Sequence, residues 1–148
     1  MACSSGGDGG IDVVFDVCQT LVLSPEGDPT EEQALSIDDA IEMWNRLGDS
    51  RLTREEISLA PRLPIRFEEA AANFHGVYED EIGVVYVNLA LVDRHERAVT
   101  IAHEVGHAFG LVHVDRDQRL SVMNQGNLEV EPLSDDGEAL STLWGDCP

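Results

Sequence analysis

Apolar and polar positions along the chain fall into segments with different periods. Residues Ile11, Asp12, Val13, Val14, Phe15, Asp16 and Val17 are rich in β-branched side chains and alternate in part, which predicts a strand over 11–17. Pro25, Gly27, Asp28 and Pro29 then predict a turn-rich connection. Ile37, Ala40, Ile41, Trp44 and Leu47 recur at helical spacing. Ser36 and Asp39 stand at capping-box distance ahead of them, with Asp replacing the usual Glu, and Gly48 stops the run. This helix is expected to bury Trp44 against a sheet. Residues 49–62 are polar, and Thr53 with Glu56 marks a short helical turn before Pro61 and Pro64. Strand signals follow at Ile65 to Phe67, at Phe74 to Tyr78 and from Gly83 to Leu89, with the acidic turn Glu79, Asp80, Glu81 between the last two.

A second helix is predicted from caps at Asp93 and Glu96 through Phe109. At about 100° per residue, Ala98, Ile101, Ala102, Val105 and Phe109 form a stripe for burial. His103 and His107 lie one turn apart on nearly the opposite face, looking into a cleft. Glu104 is displaced around the helix and can stand beside a water while both imidazoles hold a metal. Gly110 can end the helix with a left-handed backbone, so that the chain turns and returns His113 as a third nitrogen donor. Three imidazoles would leave one position of a zinc ion open.

Composition narrows the alternatives. The chain has 148 residues, 29 acidic and 9 basic side chains, and a formal charge of −20; every basic residue is an arginine. That length suits one domain, here 11–148 after a flexible tail at 1–10. The negative field disfavours nucleic acid and anionic membranes. No apolar run reaches the roughly 20 residues of a membrane span. Cys3, Cys18 and Cys147 make no CxxC pair, so a cysteine metal site is not expected. Cys18 and Cys147 either pair, if the ends of the chain meet, or remain two free thiols. Cys3 opens the stretch CysSerSerGlyGlyAspGlyGly, which resembles the start of a mature bacterial lipoprotein. Only Met1 and Ala2 precede it, so an export signal is not present in this chain, and the stretch is read either as a lipid-anchored tether or as a plain flexible start.

The set His103, Glu104, His107, Gly110 and His113 resembles the metzincin zinc endopeptidases, whose pattern is HExxHxxGxxH. Ser121, Val122, Met123 and Asn124 resemble that family's methionine turn, with Met123 in a supporting role beneath the metal. Leu133, Ser134, Asp135, Asp136 and Gly137, followed by Leu140, Leu143, Trp144 and Gly145, resemble the last helix of matrixins, with a serine cap. The nearest likeness is a minimal bacterial matrixin-like catalytic domain. Gln125 departs from it, since matrixins commonly place proline two residues after the methionine.

The resemblance implies an α/β (α+β) metzincin-like zincin fold: a twisted mixed sheet with an antiparallel edge strand, a backing helix, an active-site helix and a small C-terminal helical subdomain. It implies a zinc-dependent endopeptidase with one catalytic Zn²⁺ on His103, His107 and His113. Glu104 would take a proton from the attacking water. A peptide or protein substrate would pair with an edge strand over Gly83, Val84, Val85, Tyr86 and Asn88, near a pocket wall at Asn124 and Gln125. The implied setting is extracellular or cell-envelope, as a monomer. Calcium at Glu79, Asp80 and Glu81 is a weaker expectation, because three adjacent acids lack the spacing of a calcium loop. His75 and His95 read as ordinary loop or helix-end residues, and Ser24, Ser36 and Ser134 lack a nucleophile context. The competing reading is a non-catalytic zinc-containing module that binds peptides or serves structure.

Overall fold

The computed structural model describes residues 11–69 and 74–148. The tail 1–10, with Cys3, lies outside the described residues. Strand β1 (Thr20–Pro25) leads into helix α1 (Glu31–Asn45), then β2 (Arg51–Thr53), β3 (Arg62–Glu68), β4 (Gly76–Glu79), β5 (Val84–Asn88), α2 (Arg94–Ala108) and α3 (Ser134–Trp144). The five strands form one mixed sheet in the order β2-β1-β3-β5-β4. All neighbours are parallel except β4, which runs antiparallel to β5 at one edge.

The first strand corrects the expectation for 11–17. That segment makes no strand; its amides go to a turn and a helix end, Val13 N to Asp80 O and Phe15 N to Ala108 O. It is a strap across the sheet's edge and α2. The strand instead contains Leu21, Val22 and Leu23, all fully buried. An unbroken apolar run is what a parallel strand covered on both faces needs, and alternation does not reveal it. Likewise β2 ends at Thr53, where a helical turn was expected to begin, and residues 54–56 form no helix.

Helix α1 begins a turn and a half before Ser36. Thr30 is its N-cap, with Thr30 Oγ1 accepting from Gln33 N and Gln33 Oε1 accepting from Thr30 N, a complete capping box. Glu31 and Glu32 add negative charge to the first turn, where the helix dipole favours it. Ser36 is therefore interior to the helix, and its hydroxyl donates to Arg94 O at the start of α2. Gly48 does close the segment, at φ +87°. Trp44 is buried as expected, but it reaches a helix: its indole N–H donates to Ala102 O at 2.9 Å, and its ring meets Phe109 edge-on at 6.1 Å.

Helix α2 starts at the N-cap Asp93, whose carboxylate accepts from Glu96 N. From Arg97 to Ala108 every residue is buried. The two-faced helix of the sequence pattern is thus a core helix covered all round, by α1 on one side, by β4 and β5 on another, and by the loop after it. Even Arg97 is inside, its guanidinium donating to Ser36 Oγ and to the carbonyls of Leu91 and Val92.

Candidate metal centre

His103 and His107 follow from one turn of α2, and His113 from the chain reversal after it. Phe109 and Gly110 amides bond back to Val105 O and His107 O, and Gly110 takes φ +103°, a backbone that side chains with a Cβ rarely adopt. The reversal brings the ring nitrogens of the three histidines within 4.8 Å of one another. Among the described residues, they are the one group of three or more metal-type donors gathered so closely. The acids Glu79, Asp80 and Glu81 form no such group; Asp80 is buried, and its carboxylate accepts from Asp12 N.

The rings are held by carbonyls. His103 Nδ1 lies 2.6 Å from Val122 O and His107 Nδ1 lies 2.8 Å from Leu111 O. A carbonyl can only accept, so each Nδ1 carries the proton and each Nε2 is left as the donor atom for a metal. His107 Nε2 and His113 Nε2 are 3.2 Å apart. Two nitrogens on a tetrahedral zinc at about 2.0–2.1 Å would be separated by about 3.3 Å. The donor set and its spacing therefore fit zinc.

Burial favours the neutral, ligating form of each ring. It pushes the His103 pKa down to about 3, helped by repulsion from His107 and opposed by the bond to Val122. It pushes His107 down to about 4, against the bond to Leu111, and lowers His113 as well. Without metal, the unfolded chain takes up protons near pH 6.5 while these folded rings do not. Stability is then fully present above about pH 6.5 and is lost progressively as pH falls toward 4 and then 3. The urea midpoint of chelator-treated protein is expected to drop between pH 7.5 and pH 5; an unchanged midpoint would mean that the rings are open to water.

Glu104 is fully buried on the same turn as His103. A Cβ placed on Gly76, the first residue of β4, would sit 3.5 Å from Glu104 Cγ and 2.8 Å from Thr100 Cγ2. Only a glycine lets the edge strand pass so close to this turn. On the other side, a Cβ on Gly106 would lie 2.4 Å from Met123 Sδ, so the methionine packs directly under the helix between the two histidines. Met123 is 1% exposed and supports the site by packing.

The loop that carries Met123 is organised by a residue to which the sequence reading gave no such role. Asp136, on the first turn of α3, is completely buried. One carboxylate oxygen accepts from Val122 N and Leu133 N, and the other from Ser121 Oγ and Arg119 Nη1. Val122 O is the acceptor of the His103 ring, so Asp136 acts on the first ligand through one residue, Val122. Ser134 is not the cap expected of it: the N-cap is Leu133, whose amide Asp136 satisfies.

Two expectations about substrate contacts change. Val84–Asn88 lies inside the sheet, paired with β3 on one side and β4 on the other, so its backbone cannot receive a peptide. Gly83 is a turn residue at φ +70°. The edge next to Glu104 is β4. Asn124 is buried and fastens the loop, with its amide donating to Val114 O and Arg119 O and its carbonyl accepting from Ser121 N. Gln125 is exposed beside it. His95 is exposed at the start of α2, and His75 precedes β4; neither joins the triad.

No family model matches the chain, and no curated protein matches its sequence. Solved structures do. A structure of myroilysin aligns with a TM-score of 0.62 at 13% identity, covering 92% of this chain and 98% of that one. High choriolytic enzyme 1, a hatching enzyme zinc-protease from Oryzias latipes (Medaka fish), aligns at 0.54 and 13% identity over 86% and 90%. A crystal structure of myroilysin aligns at 0.53 and 11% identity over 99% and 70%. The chain has the α+β fold of the metzincin type, with His103, His107 and His113 gathered at one point of it.

Proposed function

We propose that the chain is a zinc metalloendopeptidase in which Glu104 moves the proton. The observation that carries this reading is the meeting of three neutral imidazoles with a buried glutamate on the same helical turn. His103 and His107 would hold zinc through Nε2, and His113 through a ring nitrogen. Zinc bound there supplies Lewis acidity toward a carbonyl and acidifies water. The Glu104 carboxylate accepts a proton as water adds to the scissile carbonyl carbon, and returns it to the amide nitrogen as the C–N bond breaks.

The substrate would lie extended along the outer rim of β4, Gly76–Glu79, which is paired on one side only among the described residues. Main-chain hydrogen bonds would hold it there, with Gln125 as a candidate pocket wall. The zinc protease among the structural neighbours supports hydrolysis of peptides in general. The Cys18–Cys147 disulfide suits an oxidising setting, outside the cell or in its envelope. The lipid anchor at Cys3 rests on the sequence stretch alone.

The test pairs metal analysis with an unbiased peptide library. The expected result is one zinc per chain and internal cleavage that stops on chelation and returns with zinc. Zinc-loaded protein that leaves both the library and denatured proteins intact would sink the reading.

A further inference from the structure

The helix bearing His103 and His107 ends in a collar made from the two ends of the described chain. Helices leave their last carbonyls without partners inside the helix. In α2, Val105 O, Gly106 O and His107 O accept from Phe109, Leu111 and Gly110 as the chain turns. The next two carbonyls look elsewhere. Ala108 O accepts the Phe15 amide at 2.8 Å, and Phe109 O accepts the Trp144 indole N–H at 2.7 Å. Phe15 belongs to the N-terminal strap and Trp144 is the last residue of α3.

These two partners are tied to each other. Cys18 follows Phe15 closely, Cys147 follows Trp144 closely, and the two cysteines form a disulfide across a separation of 129 residues. Packing tightens the ring around Gly110, where an added Cβ would meet Leu143 Cδ2 at 2.9 Å and Val14 Cγ1 at 3.7 Å. Gly110 starts the short link to His113. The third histidine is therefore delivered from inside a loop of structure that one S–S bond closes.

We propose that the Cys18–Cys147 disulfide is a redox clamp on the metal centre, with Phe15 and Trp144 as its two jaws and zinc retention as what it controls. This rests on the reading of the three histidines as zinc ligands. A phosphine or dithiol delivers two electrons, the S–S bond breaks, and each sulfur takes a proton to give a free thiol. The reductant leaves as a phosphine oxide, with its oxygen from water, or as a cyclic disulfide. Both cysteines are only partly buried, within reach of a small reductant. With the clamp open, the strap and the tail separate, Ala108 O and Phe109 O lose their partners, and the turn holding His113 loosens.

Zinc affinity, read by competition with a chromophoric chelator, tests this without any assay of activity. Three forms are compared: oxidised protein, protein reduced with a phosphine, and disulfide-intact Trp144→Phe, which keeps a ring but deletes the N–H. Far-UV circular dichroism follows each. Reduction is expected to weaken zinc binding at least tenfold with helical signal retained, and reoxidation to restore it. Trp144→Phe is expected to weaken it several-fold. Unchanged affinity on reduction overturns the clamp. So does collapse of the helical signal on reduction together with wild-type affinity in Trp144→Phe, because the disulfide would then hold the whole fold and not the site. Oxidised protein that binds no zinc refutes the metal reading itself, and the clamp with it.

Discussion

Glu104→Gln is expected to lower peptide cleavage by about 10²–10⁴-fold while one zinc per chain is retained. The substitution keeps the shape of the side chain and removes its capacity to accept a proton. Glu104 is fully buried in a helix whose neighbours are also buried, so an isosteric amide disturbs packing little. Turnover and metal content measured on the same preparations separate the two roles. If the Glu104→Gln variant cleaved like the wild type with zinc in place, proton transfer through this carboxylate would be excluded. If neither protein cleaved anything, a zinc-containing peptide-binding module would be the better description.

Asp136→Ala should be the most damaging single change outside the ligands. It removes a buried acceptor of four hydrogen bonds, leaves the Val122 and Leu133 amides and the Ser121 hydroxyl without an acceptor, and strips the Arg119 guanidinium of its carboxylate, leaving it the Leu120 carbonyl. At about 1–3 kcal/mol for each buried donor left unsatisfied, the three donors together cost on the order of 3–5 kcal/mol at the lower end of that range. For a chain of this size that lowers the melting temperature by roughly 6–20 °C. Because Val122 joins Asp136 to the His103 ring through its amide on one side and its carbonyl on the other, zinc affinity should fall as well. Asp136→Asn keeps one good acceptor and should do less. Thermal melts with and without saturating zinc check both effects; an Asp136→Ala variant that melts with the wild type would show that the network contributes nothing net.

What was legible in the sequence was local. His103, Glu104, His107, Gly110 and His113 sit within one helix and one turn, so helical spacing and the conformational freedom of Gly110 were enough to place them together. Edge and interior were not legible, since alternation identifies a strand without naming its neighbours. Gly83 to Asn88 looked like the substrate edge, yet β4 pairs outside it, and Gly76, whose missing Cβ brings that edge to Glu104, carries no pattern at all. Asp136 looked like an acid near a helix start, where exposure is the rule; its burial is created by residues 119–122 folding over it. Residues 11–17 have strand composition, but their amides are claimed by Asp80 and Ala108 rather than by a ladder. Sequence leaves the pairing of Cys18 with Cys147 as one of two alternatives, because only the fold brings residues 18 and 147 side by side.

The burial of α2 on every side has a consequence for how the metal and the protein depend on each other. A ligand helix on a surface could hold zinc while the rest of the molecule loosened. Here two of the ligands project from a helix at the centre of the core, whose Gly106 lies against both Trp44 and Met123, so an ion bound to them is a ligand of the folded state as a whole. By mass action, each tenfold rise in free zinc above its dissociation constant adds about 1.4 kcal/mol to the folding free energy. Zinc supply would set the lifetime of the molecule as well as its chemistry, and a core substitution far from any histidine would be read by the cell as a weaker metal site.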